Sequence, residues 1–531
     1  MDPVRAHFMY ENLINALKKL FRFKKHTKIK TSEPVNGGTL PMQDTIKLKG
    51  LSDIYRFFRK NQTPIYFVSP TAYNVLGIGQ WVQSFQYVTF FDSFDGGHFR
   101  ILNPKLNSAR EFQSMEEMVN YLLSHKETID LLEANSHKCE NGINGKLLTV
   151  MFDEKTEEIA ASLGLEMALP SAKLRQYIDS KIVTTQLANE AGVPSAPNLV
   201  DVKVSSYAEL TALAEAHHLG SNLVVQTPYG DSGKTTFFIR GEADWDKNAG
   251  KIVGETLKIM KYINHIPGTV EAVATRCGTL VGPLQTDITG YEELTPYRGG
   301  WCGNDIFPEL LKGKQHDKVI AMVKAMGDKL YETGYRGAFC FDYLVDTDDG
   351  EVYLGEINPR ISGASPLTNL VTSKYGGAPL MLFHLLEFMD VDFEIDVEEI
   401  QKRWSDYGSW TQLVLKHTED KVRMITKAPK TGIWHMKDDG DIEFIRQSID
   451  WSNVGDENNA FYMRVYGEGE YSYLGADMGI LVSCGRMQSD ERTLLPRAHA
   501  WINAINKQFE FKNLEDLEQP YIPDQGVRKM L

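Results

Sequence analysis

Two carboxylates sit inside apolar strands of this sequence, and few folds tolerate that. Residues 337–345 (GAFCFDYLV) read as a strand, 346–350 (DTDDG) as a tight acidic turn, and 351–360 (EVYLGEINPR) as the antiparallel return. In such a hairpin Asp342 and Glu356 can oppose each other, and the two-residue period of a strand sets Glu356, Asn358 and Arg360 on one face. Both acids lie outside the turn, where an uncompensated charge is costly to bury. Two carboxylates and an amide oxygen converging on one point are the hard-oxygen ligands Mg²⁺ takes when it bridges a protein to nucleotide phosphates. Asp342, Glu356 and Asn358 are therefore the candidate metal ligands.

A second hairpin lies upstream. Residues 223–227 (LVVQT) read as a strand, 228–234 (PYGDSGK) as a Gly-rich loop and 235–240 as the return strand. Gly233-Lys234-Thr235 resembles the end of GxxxxGK[ST], but Pro228 stands where the first glycine belongs. The segment that follows is also β-rich, whereas a P-loop opens a helix whose N-terminus holds the phosphates. A hairpin can still cover a polyphosphate: its glycines let backbone N–H groups approach the oxygens, and Ser232, Lys234, Thr235 and Thr236 offer further donors. Before it, residues 174–190 read as one long helix containing Asp179, Ser180 and Lys181, stopped by Gly192 and Pro194.

The front of the chain reads as scaffold. Short apolar runs at 64–68, 87–91 and 147–152, separated by helical patterns such as 114–123, predict a mostly parallel sheet covered on both faces. Residues 31–45 lack periodicity and read as a linker. Ahead of them Leu13, Ile14, Leu17, Leu20 and Phe21 share a helical face followed by Arg22, Lys24, Lys25, Lys28 and Lys30. Two readings of that basic helix stay open: contact with an anionic membrane surface or a partner protein, or packing on its own fold.

Charge narrows the class of partner. With 57 Lys and Arg against 71 Asp and Glu, the net charge is −14, which argues against a nucleic-acid binder and for a small-molecule substrate. The five cysteines are scattered, with no CxxC and no zinc spacing, so a reducing, cytoplasmic compartment is expected. No stretch approaches the roughly 18 apolar residues of a transmembrane helix. At roughly 100–200 residues per domain, 531 residues suggest about three or four domains.

Taken in order, Lys181 in an "SK…EAGVPSAP" helix, the Gly-rich hairpin and "GAFCFDYLVD…DGEVYLGEINPRISGAS" resemble the ATP-grasp superfamily. "IMKYINHIPGTVEAV" and "LGADMGILVSCGRMQSDERTLLPRAHAWINAI" are similar to the hinge and C-terminal domain of its biotin-carboxylase-like branch. The resemblance implies an α/β ATP-grasp fold with an N-terminal parallel α/β domain and a C-terminal α+β domain. The boundaries it implies are 1–45 (helix and linker), 46–165, 166–390 (lid about 200–263) and 391–531.

Residue by residue, the same resemblance implies that Lys181 contacts ATP phosphate. Gly230, Asp231, Ser232, Gly233, Lys234 and Thr235 would close over the triphosphate, and the backbone of Lys261, Tyr262 and Ile263 would hold adenine. Asp342, Glu356 and Asn358 would ligate Mg²⁺, for which Mn²⁺ can substitute, and Arg360 would face the reacting carboxylate or its acyl phosphate. Gln226 departs from the pattern, standing where the family carries a second phosphate-binding lysine; Lys234 is the candidate replacement. The stretches "DITGYEELTPYRGGWCGND" and "ISGAS" lack the residues with which biotin carboxylases handle bicarbonate and biotin, while "NPRISGAS" is more like members that activate a small carboxylic acid. The expected activity is an ADP-forming ligase joining a small acid to an amine, with Arg360, Lys234 and Arg298 as its catalytic cations. Relatives of this kind imply a homodimer. The alternatives are a bicarbonate-using carboxylase and a non-catalytic nucleotide-binding protein.

Overall fold

The structure, a computed structural model, describes residues 47–105, 112–139, 143–230 and 235–516. The basic helix and linker of residues 1–45 lie outside the described residues, as do Asp231, Ser232, Gly233 and Lys234. No helix among the described residues is long and apolar enough to cross a membrane.

The front layer is a five-stranded, wholly parallel sheet in the order Ile101–Leu102, Phe85–Thr89, Ile65–Ser69, Gly145–Leu148, Leu165–Met167. Met115–Ser124 begins where Ser114 accepts from the Glu117 N–H, and Glu154–Ser162 where Asp153 and Thr156 form a reciprocal capping box. Two strands end earlier than their apolar runs. Phe91, Val150 and Phe152 leave the sheet yet stay buried, so the runs reported burial without reporting where backbone pairing stops.

A second sheet, within the region expected to form the lid, is four-stranded and antiparallel in the order Asn198–Val202, Leu257–Lys261, Leu223–Gln226, Thr236–Ile239. One face buries Leu223, Val225, Phe237, Leu257 and Ile259 against Leu210 and Trp245 of its two helices. The Gly-rich loop leads into the strand Thr236–Ile239, in keeping with the hairpin reading.

The remainder is organised by one eleven-stranded sheet. Gly337–Asp346 pairs with His265–Thr275 from Asp346↔His265 to Gly337↔Ala274, and on its other side with Val352–Asn358. The sheet runs on through Gln285–Thr289 and Trp301–Ile306 to Trp410–Lys416 and four further strands of the C-terminal region. Helix Gly313–Glu332 lays Val319, Met322, Val323 and Met326 against Phe339, Phe341 and Ile357.

The predicted helix of residues 174–190 is two helices, Ala172–Asp179 and Lys181–Glu190. Ser180 between them is extended (φ −69°, ψ 121°). The Lys181 N–H donates to the Pro228 carbonyl at 2.9 Å and Thr184 Oγ1 to the Ile178 carbonyl at 2.7 Å. Those bonds replace helical ones at the junction and bring Lys181 to the mouth of the lid.

Candidate active site

The hairpin delivers the expected pair: Asp342 and Glu356 are register partners. Phe339, Phe341 and Tyr343 turn to the helix-covered core, so Asp342 turns the other way. There Thr269 Oγ1 donates to Asp342 Oδ1 at 2.6 Å and Asn358 Nδ2 to Asp342 Oδ2 at 3.2 Å. Lys181, 6% exposed, donates from Nζ to Glu356 Oε1 at 2.8 Å and to the Gly230 carbonyl at 3.0 Å. Helix start, lid loop and metal-site hairpin therefore meet at one ammonium.

Arg360 reaches the site differently from the two-residue reading. The strand ends at Asn358, and Arg360 turns back with its N–H on the Asn358 carbonyl at 2.8 Å. Its Nη1 contacts Asp179 Oδ1 at 3.1 Å, at the end of the first half-helix. Arg298 lies in the exposed turn between Gln285–Thr289 and Trp301–Ile306 and makes no hydrogen bond or ion pair with the carboxylates. Gln226 is buried, its Nε2 donating to Thr236 Oγ1 at 3.1 Å. In the hinge the N–H groups of Lys261 and Tyr262 already donate to the Pro197 and Asn222 carbonyls, leaving Ile263 as the residue whose N–H is not donated within the described chain.

Two acids escaped the sequence reading. Glu271, 1% exposed, accepts from Ser362 Oγ, and burial pushes its pKa up to about 7. Asp287 accepts from Asn304 Nδ2 at 2.8 Å, and burial followed by the charge of Asp342 pushes it up as well. Asp342 is raised by burial, then by Glu356. The signal for Glu271 was present, since "TVEAV" sets an acid among apolar strand residues as "CFDYL" does. "QTDIT" alternates like a solvent-facing strand and gave none for Asp287.

Glu271, buried, and Asp287 and Asp342, half-buried, all have pKa values driven upward, which favours a cation among them. The donor set fits Mg²⁺ in kind: two carboxylates and the Asn358 amide, which lies within hydrogen-bond distance of Asp342. Among the described residues no group of three or more His, Cys, Asp or Glu is arranged to hold a metal, and two carboxylates with one amide are fewer ligands than an octahedral Mg²⁺ shell holds. Mg²⁺ characteristically completes such a shell with phosphate and water.

Residues 314–385, which span this hairpin and the helices around it, match the family model "Carbamoyl-phosphate synthase L chain, ATP binding domain". No curated protein matches the chain in sequence. Among solved structures, the biotin carboxylase β-γ-ATP complex from Campylobacter jejuni superposes with a TM-score of 0.55 at 15% identity, over 85% of this chain and 92% of that one. The biotin carboxylase domain of the Hydrogenobacter thermophilus 2-oxoglutarate carboxylase, in complex with MgADP and bicarbonate, gives 0.54 at 15% identity over 85% and 91%. N5-carboxyaminoimidazole synthase from Aspergillus clavatus, in complex with ADP and 5-aminoimidazole ribonucleotide, gives 0.50 at 12% over 80% and 94%.

The chain has the biotin-carboxylase-like ATP-grasp fold.

Proposed function

We propose that the protein is an ATP- and Mg²⁺-dependent ligase that activates a small carboxylic acid as its acyl phosphate and joins it to an amine. The observation that carries this reading is the convergence of Lys181, Asp342, Glu356 and Asn358 at the lid mouth, with Arg360 anchored alongside by Asp179. Asp342, Glu356 and Asn358 would hold Mg²⁺, which would supply neutralisation of phosphate charge. Lys181, held by a carbonyl and a carboxylate, is oriented toward phosphate oxygens rather than free to sweep solvent.

In this reading a carboxylate oxygen of the substrate attacks the γ-phosphorus and ADP leaves. The amine then attacks the acyl carbon, the C–O bond to phosphate breaks, and phosphate departs with the amine's proton passing to solvent. Arg360 offsets the oxyanion that develops as the amine adds. The lid, including Gly230 and Thr235, keeps water from the acyl phosphate. The Ser362 and Gly363 backbone after Arg360 leaves a narrow acid site, since a Cβ on Gly363 would come within 2.7 Å of Trp301.

The test is ADP release across a panel of amino acids and small acids, with and without amine acceptors, followed by product mass. Glu356→Gln should reduce turnover by about 1000-fold or more, the scale expected when transition-state charge loses its counter-charge. A wild type that releases no ADP with any acid and amine pair would sink the reading. The bicarbonate reading draws support from the bicarbonate named in the Hydrogenobacter complex. It predicts ADP release with bicarbonate as the sole acid, and loses if turnover persists after bicarbonate is removed.

A further inference from the structure

Lys258 lies in the middle of the lid sheet, opposite Gln226 on one neighbouring strand and Val200 on the other. Its chain neighbours Leu257 and Ile259 bury into the helix-backed core of the lid. Strand alternation therefore turns Lys258 to the opposite face, with Gln226 and Thr236, toward the cleft that holds Lys181 and Glu356. The side chain is 2% exposed and has no hydrogen-bond or ion-pair partner among the described residues. Beside it Gln226 Oε1 is buried and equally unpartnered.

A buried ammonium with no hydrogen-bond partner, in the field of Glu356 but also of a second ammonium at Lys181, costs the fold stability. Burial brings the Lys258 pKa down to about 8, against the charge of Glu356 and with a smaller push from Lys181. An anion between the two lysines removes both penalties. Gln226 fits the same ligand: with its amide reversed, the oxygen accepts from Thr236 and the NH₂ joins Lys258 as a donor. A lysine at 226 would instead set two ammoniums on directly opposed strand positions.

We propose that Lys258 binds a phosphate of the nucleotide, so that the lid's second phosphate-binding cation stands one strand across from position 226. This rests on the site being a nucleotide site, and it accounts for Gln226 without calling on Lys234.

Calorimetric titration of the full chain with ADP and with adenosine tests the assignment. Lys258→Gln and Lys258→Met should each weaken ADP binding by about 10–100-fold, the range for losing a charge-assisted contact, and leave adenosine binding unchanged. Adding Gln226→Lys to Lys258→Gln should restore at least about tenfold of the lost affinity. If the single substitutions unfold the chain, the relocated pair, which keeps one buried ammonium, carries the test against wild type. ADP affinity within twofold of wild type in Lys258→Met overturns the assignment, as does an equal loss for adenosine. A wild type that binds no ADP removes the nucleotide reading itself, and this assignment with it.

Discussion

Glu271 shows what burial does to a charge beside this site. Its carboxyl has an ordinary value of 4.5 and is held near 7 in the fold, because lost hydration outweighs the Ser362 hydroxyl and the Arg360 charge. An acid raised in this way binds its proton more tightly folded than unfolded. Its contribution to stability is therefore fully present below about pH 4.5 and is lost as pH rises through about 7. Asp305, raised to about 6 by burial despite donors from Thr411, Met487 and Gln488, acts in the same direction. The ligand-free protein should thus lose denaturant resistance between pH 5 and 7.5, and Glu271→Gln should reduce that loss by about 2 kcal/mol. Urea titrations at the two pH values check this, and an unchanged slope in the variant would remove Glu271 as a source.

At the level of elements, the Asp342–Glu356 hairpin depends on a glycine that the two-residue period does not explain. Tyr343 pairs with Leu354 and Asp342 with Glu356, so Gly355 is an extra residue on the return strand. The resulting bulge shifts the alternation and lets Leu354 and Ile357 both bury while Glu356 faces the cleft. Gly337, where the first strand begins, has φ +96°, and a Cβ there would meet His384 Nδ1 at 2.4 Å. That nitrogen accepts from the Ala338 N–H at 2.9 Å. Gly337→Ala should cost about 2–4 kcal/mol, combining left-handed strain with overpacking. Thermal melts check the loss, and repair by a smaller residue at 384 would assign it to the clash. Gly192 and Pro194 announced the end of the second half-helix, but nothing local announced the break at Ser180, because the Pro228 carbonyl that receives the Lys181 N–H is distant in sequence.

In the whole molecule, regions that the sequence separates share one sheet and one polar network. The boundary expected near residue 390 is crossed by strand pairing from Trp301–Ile306 to Trp410–Lys416. Gln412, fully buried, accepts from Tyr73 of the front layer and donates to Asn304 at 2.9 Å and to the Gly363 carbonyl at 2.7 Å, next to Ser362 in the loop after Arg360. Arg464, 6% exposed, clamps the front layer through Asp95 and the Asp92 carbonyl. Arg464→Leu should lower stability by about 1–3 kcal/mol, less than a fully buried pair because Asp95 keeps much of its hydration. Equal unfolding midpoints for variant and wild type would show that this clamp contributes nothing.

The sequence by itself determined the α/β layering, the antiparallel hairpins and the pairing of Asp342 with Glu356, because strand period, turn chemistry and helix stop signals act over a few residues. The resemblance of its motifs to ATP-grasp proteins also marked Lys181 and Arg360. Tertiary structure alone decided which charges became a site. Asp179 meets Arg360, Glu271 and Asp287 gather around Asp342, and Lys258 is buried without a partner opposite Gln226. Those outcomes depend on desolvation and on contacts between segments far apart in the chain, and neither is a property of any short stretch of sequence.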